Sequence, residues 1–165
     1  MDIFDEEIVK FWSALVSNKV QFILVGGYAT NMNGYQRFTG DMDIWINNSP
    51  ENKKLLRKAF AEYGLGDYEM IERMQFIPGW TYFYLNNGLK LDVMEAMKGL
   101  EDFTFDECLQ VAMIADIDGI EIPVLHINHL IANKKAVNRP KDQIDVIYLE
   151  KIKALLDEKN SFFKQ

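Results

Sequence analysis

Two aspartates one residue apart, Asp41 and Asp43, head the β-prone run Asp41-Met42-Asp43-Ile44-Trp45-Ile46, and a third, Asp92, stands alone in Leu89-Lys90-Leu91-Asp92-Val93-Met94. In an extended strand, residues two apart share a face, so Asp41, Asp43 and Trp45 project one way and Met42, Ile44 and Ile46 the other. Two carboxylates on one spot repel and raise each other's pKa unless a cation lies between them. Oxygen ligands with no His or Cys cluster nearby suit Mg²⁺ or Mn²⁺ rather than zinc. A buried, unpaired Asp92 would be costly, so a charge partner or a metal is expected there as well. If its strand is regular, Glu95 points away from Asp92.

Groups able to hold an anion lie just upstream. Gly26-Gly27 closes the apolar run from Val20 to Val25, and the missing side chains let backbone N–H groups approach a phosphate. Arg37, with Thr39 beside it, offers a guanidinium fork matched to phosphate oxygens. Each feature has a plain reading of its own: a solvated strand end, a tight turn, a surface arginine. Together they describe three carboxylates beside a glycine turn, the arrangement two divalent ions need to clamp a triphosphate. Asp41 and Asp43 would hold the ion on the β- and γ-phosphates. All three aspartates would share the ion that lowers the pKa of the attacking hydroxyl.

Periodicity supplies the elements that must position these groups. Ile8, Phe11, Trp12 and Leu15 trace one helix face, with Asp2 and Asp5 at its acidic start. A strand over Val20 to Val25, a short helix over Tyr28 to Gly34 and a strand over Met42 to Ile46 follow. Asn47 to Pro50 caps a helix marked by Leu55, Leu56, Ala59 and Phe60, which Gly64 and Gly66 end. Residues 64–79 have no clear period. Asn87-Gly88 predicts a hairpin between Thr81 to Leu85 and Leu89 to Met94, and Asp118-Gly119 predicts a second. Helices over Asn128 to Val137 and from Pro140 onward close the chain, the last with Ile144, Ile147, Tyr148, Ile152 and Leu155 as its apolar stripe. Strands and helices mix without strict alternation, which predicts an α/β (α+β) fold with a mixed sheet flanked by helices. We expect one domain over residues 1–165, with 128–165 as its helical C-terminal part.

Composition narrows the class. At 165 residues and 19.2 kDa the chain suits one domain with a sizeable core. No apolar stretch approaches the roughly twenty residues of a membrane helix. The acidic start and the single cysteine, Cys108, suggest a cytoplasmic protein without an internal disulfide. A net charge of −7 argues against a broad phosphate-tracking surface, although Lys134, Lys135, Arg139, Lys141, Lys151 and Lys153 crowd the last third.

Gly26-Gly27, the spacer, Asp41-Met42-Asp43 with apolar Ile44, and Leu91-Asp92-Val93 resemble the signature of the nucleotidyltransferase superfamily typified by DNA polymerase β. Leu130 to Leu149 is similar to the "K, then R-x-K-D, then D" tail of small bacterial nucleotidyltransferases related to abortive-infection toxins and antibiotic-modifying enzymes. The resemblance spans Val20 to Leu149, apart from Glu62 to Gly79. It implies a mixed sheet flanked by helices and transfer of a nucleoside monophosphate from an NTP to a hydroxyl, with Mg²⁺ or Mn²⁺ and release of pyrophosphate. It places Gly26 and Gly27 on phosphates and Lys134 on the triphosphate, and it matches Arg139, Lys141 and Asp142 as site or packing residues. Many members carry Gly-Ser where this chain has Gly26-Gly27, so one phosphate contact expected of a hydroxyl is missing.

The acceptor is left open among a small molecule, a protein side chain and a tRNA end. A second copy of the chain or a partner protein could complete its recognition. A metal-dependent glycosyltransferase would also use Asp-x-Asp but does not need the glycines or the third aspartate. The main alternative is a non-catalytic nucleotide-binding or partner-binding protein on the same fold, such as a toxin–antitoxin component. His126 and His129 suit capping or packing. Met70, Met74, Met94 and Met97 read as core filler. Trp80, Tyr82 and Tyr84 alternate along a strand and suit either a stacking surface or a face packed under a helix.

Overall fold

A computed structural model describes residue 3 and residues 5–164, so the expected role of Asp2 lies outside the described residues. Helix α1 (Glu6–Ser17) starts where the Asp5 carboxylate accepts the Glu7 N–H at 2.9 Å, and Ile8, Phe11, Trp12 and Leu15 are wholly buried. Strand β1 (Phe22–Val25) is buried at every position and breaks at Gly26, whose φ of +66° leads directly into α2 (Gly26–Met32). Strand β2 (Asp41–Ile46) and helix α3 (Pro50–Tyr63) follow. The Ser49 hydroxyl caps α3 by accepting the Asn52 N–H at 3.1 Å.

The stretch without a period, 64–79, contains only a 3₁₀ turn (Glu69–Glu72) pinned by buried Ile71. Strands β3 (Tyr82–Tyr84) and β4 (Lys90–Met94) form the Asn87-Gly88 hairpin. Helix α4 (Phe105–Gln110) had no counterpart in the sequence reading, although Thr104 and Glu107 form a capping box that announces it. Strands β5 (Met113–Ile117) and β6 (Ile120–Val124) turn at Asp118-Gly119, where both residues have positive φ, as a tight two-residue turn requires. Helices α5 (Ile127–Val137) and α6 (Pro140–Phe163) end the chain.

The six strands form one mixed sheet in the order β3-β4-β2-β1-β6-β5, flanked by helices as expected for an α/β fold. β2 runs antiparallel to β1 and parallel to β4. One face of the sheet presents Met42, Ile44, Phe83, Leu91 and Val93 to the core under α1 and α3, where Phe60 meets Phe83 edge-on at 4.9 Å. The opposite face carries Asp41, Asp43, Lys90, Asp92, Tyr82 and Tyr84. Its far end is closed where Trp45 packs on Phe105 of α4.

Three expectations are corrected. The α6 stripe faces outward: Ile144, Ile147, Tyr148 and Leu155 are exposed and only Ile152 packs inward. The helix docks instead through Asp142, Asp145 and Leu149, because ion pairs rather than apolar contacts fasten its first turns. Met70 is exposed, whereas Met94 and Met97 are core and Met74 packs at its margin. Of the two readings open for Trp80, Tyr82 and Tyr84, the covered one falls: all three stand in solvent, and among the described residues no helix covers them.

Candidate functional site

The parallel register of β2 and β4 sets Asp43 directly opposite Asp92 and Asp41 opposite Lys90. Two carboxylates thus face each other across neighbouring strands, on the polar side of the sheet. Burial, reinforced by the charges of Asp92 and Asp41, pushes the Asp43 pKa up to about 6. Burial raises Asp92 too, with Asp41 adding to the rise, and Lys90 only partly offsets it. The Lys90 ammonium lies 3.5 Å from Asp92 Oδ2 and 4.6 Å from the centre of the Tyr82 ring. Asp92 Oδ1 is buried without a hydrogen-bond partner. The charge partner expected at Asp92 is therefore present, but it satisfies only one oxygen.

The paired glycines serve these side chains first. A Cβ on Gly26 would overlap the Asp43 carboxylate, and one on Gly27 would overlap the Thr39 hydroxyl. The Thr39 hydroxyl in turn donates to the Asp41 carbonyl at 3.2 Å. Beside them opens a cavity of about 540 Å³, lined by Gly26, Gly27, Arg37, Thr39, Asp41, Asp43 and Asp92. Lys98, Lys134, Arg139 and Lys141 line the same cavity. The structure thus gathers all eight sequence-predicted site residues around one cavity, and their roles differ.

Arg37 and Lys134 are already committed. Arg37 donates from Nε and Nη2 to the two Asp145 oxygens at 2.6 and 2.7 Å, and from Nη1 to the Phe38 carbonyl at 2.8 Å. Buried Lys134 donates to Asp145 Oδ2 at 2.7 Å and lies 3.6 Å from Asp142 Oδ1. Asp142 also accepts from Arg139 Nε at 2.7 Å. Burial alone would raise Asp142 and Asp145, but these hydrogen bonds and charges hold both below the usual carboxylate range. Asp142 and Asp145 are thus the girders that carry Lys134, Arg139 and Arg37 to the cavity wall.

The reading of the sequence missed Lys90 and Lys98. Lys90 was legible, since it lies two residues before Asp92 and must share its face. Lys98 was not, because its place depends on the Asn133 amide of α5 donating to its carbonyl at 2.8 Å. His126 is a cap, its Nδ1 accepting the Asn128 N–H at 3.1 Å. Glu95 pairs with Lys53 at 2.9 Å, away from Asp92. Among the described residues, no group of three His, Cys, Asp or Glu side chains is gathered closely enough to hold a metal. The all-oxygen pair Asp43 and Asp92, with one unpartnered buried oxygen, nevertheless fits a hard divalent ion. Asp41 waits at the exposed start of β2.

A family described as "nucleotidyl transferase of unknown function (DUF2204)" matches residues 5–164. The chain belongs to that family. Solved nucleotidyltransferases share its fold. A putative nucleotidyltransferase from Thermotoga maritima aligns at a TM-score of 0.53 and 18% identity over 93% of this chain and 91% of the other. The antibiotic-resistance factor ANT(2'')-Ia aligns in solution at 0.52 and 17%, over 96% of this chain and 91% of its own. Its crystal structure with adenylyl-2''-tobramycin aligns at 0.52 and 18%, over 94% and 96%. No curated protein sequence matches. Among the described residues, no helix is long and apolar enough to cross a membrane.

Proposed function

We propose that this nucleotidyltransferase moves a nucleoside monophosphate from an NTP to a hydroxyl and releases pyrophosphate, with Mg²⁺ or Mn²⁺ held by Asp43, Asp92 and Asp41. The observation that carries the reading is the underpaired Asp43–Asp92 pair lining a cavity that Lys98, Lys134, Arg139 and Lys141 also line. The divalent ions, when bound, would supply Lewis-acid stabilisation of the phosphates and a lowered pKa for the attacking hydroxyl. The triphosphate lies along these basic side chains. Lys98 and Lys141 offer it free ammonium groups, while Arg139 and Lys134 contribute charge already shared with Asp142 and Asp145. Gly26 and Gly27 present backbone N–H groups, and Arg37 reaches it through Nη1 once the Phe38 carbonyl lets go.

The acceptor approaches from the β3 side, where Trp80, Tyr82 and Tyr84 leave aromatic surface in solvent beside Asp92. Its oxygen forms a bond to the α-phosphorus, the bond to the β-bridging oxygen breaks, and the hydroxyl proton passes to Asp92 Oδ1, the buried oxygen that has no donor. Lys90 holds only Asp92 Oδ2, at 3.5 Å, so it must move only where both oxygens of that carboxylate are to bind. ANT(2'')-Ia, solved with an adenylylated antibiotic, lends support to a nucleotide donor.

The test is incubation with each α-labelled NTP and Mg²⁺ or Mn²⁺, following pyrophosphate release and label transfer. The wild type should turn over at least one NTP, and Asp43→Asn and Asp92→Asn should each lose about 10³-fold in rate. Nucleotide binding without turnover under any metal would favour the non-catalytic reading, and full activity in either mutant would refute the site.

A further inference from the structure

Helix α6 has a second face that neither the fold nor the proposed reaction uses. Its docked side is Asp142, Asp145 and Leu149. On the opposite side, Ile144, Ile147, Leu155 and Phe162 are 51, 54, 62 and 76% exposed. With Lys151, Ala154 and Glu158 they form a stripe at helical spacing down the outer surface. Lys151 and Glu158, two turns apart, cannot meet in one helix. Among the described residues neither has an ion-pair partner in its own chain, and Lys151 rests only over the Tyr148 ring at 5.4 Å. Four large apolar side chains in one unpartnered stripe, with a lone cation and a lone anion set into it, make a surface that lacks its complement.

We propose that the complement is a second copy of this chain, with the two α6 helices packed antiparallel about a two-fold axis between Ala154 and Leu155. Charge order selects this occupant and this direction. Antiparallel pairing about that axis sets Lys151 opposite Glu158, Ile147 opposite Phe162 and Ala154 opposite Leu155, and symmetry makes every pair twice. Small Ala154 at the crossing lets the helices approach, and the larger side chains flank it. A parallel arrangement in register would instead set Lys151 against Lys151 and Glu158 against Glu158, which repel. The pairing stands apart from the nucleotide reading and needs no ligand. It would leave the cavity wall intact, since Arg139 and Lys141 lie at the other end of α6 from Phe162.

Sedimentation equilibrium on the full chain tests it with four proteins: wild type, Lys151→Glu, Glu158→Lys and the double exchange. The wild type should sediment as a dimer. Each single reversal places two like-charged pairs across the axis and should weaken the dimer by roughly tenfold or more. The double exchange should restore it, a result that a merely sticky helix would not give. Both side chains are in solvent, so far-ultraviolet circular dichroism should show unchanged helix content and rule out misfolding. A monomeric wild type at about 100 µM, a higher oligomer, a single reversal that associates like wild type, or a double exchange that stays weak would each overturn the proposal.

Discussion

Two pairs of aspartates in this chain are the same chemical group treated in opposite ways. Asp142 and Asp145 on α6 are almost wholly buried and surrounded by Arg37, Lys134 and Arg139, so their pKa values lie below normal. Asp43 and Asp92 on the strands face each other, and Lys90 pairs with Asp92 alone, so theirs lie above normal. The helix pair is satisfied and holds elements together. The strand pair carries a repulsion that a proton or an added cation relieves, and a group kept that way in a cavity is a functional candidate.

The largest break in this comparison should come from Asp145→Ala. It leaves Lys134 buried without its 2.7 Å partner and frees the Arg37 fork, and breaking such a network costs about 3–5 kcal/mol. For a chain of this size that is a fall in melting midpoint of roughly 10 °C, read by calorimetry. The mutant should lose stability without any ligand present, and an unchanged midpoint would remove Asp145 from the architecture.

The pH response sharpens the contrast. Asp43 has a folded pKa of about 6 against the 3.8 of a free aspartate. Its ionisation therefore costs the fold stability above pH 6, and that cost vanishes as pH falls below about 4. Asp142 and Asp145 have folded values below 3.8, so their stabilisation is present above that value and lost only on further acidification. Between pH 7 and 5 the wild type should gain on Asp43→Asn by about 1–2 kcal/mol, measured as the difference between their urea midpoints. Over the same range divalent-ion affinity should fall, because the ion needs the ionised carboxylate.

The smallest effect should be that of Lys90→Met, which keeps the stem over Tyr82 and removes the ammonium. Divalent-ion binding, followed by calorimetric titration, should tighten several-fold as an internal competitor for Asp92 disappears. Weaker binding would mean that Lys90 helps to build the site rather than to block it.

Much of this was legible in the sequence because period and punctuation are local. Asn87-Gly88 and Asp118-Gly119 fixed both hairpins, Gly26-Gly27 ended β1, and alternation placed Asp41 and Asp43 on one face. That Asp43 would stand opposite Asp92 was not local, since it depends on a parallel register between strands separated by α3. That Arg37 and Lys134 would share one carboxylate was not legible for the same reason: Asp145 is 108 residues from one and lies on a different helix from the other. The α6 stripe had the right period for a buried face, but periodicity identifies an apolar face without saying what covers it.

The central claim is that the strand carboxylates are held underpaired for a cation that accompanies a nucleotide. Thermal unfolding of wild type and Asp43→Asn side by side, alone and with each NTP plus Mg²⁺, tests it most directly. The mutant should melt higher than wild type when both are alone, because about 2 kcal/mol of repulsion and burial cost is gone. It should show none of the ligand-induced rise, roughly 2.7 kcal/mol at a hundredfold excess over Kd, that the wild type gains. A mutant that melts lower alone, or that keeps the full shift with metal and nucleotide, would contradict the account.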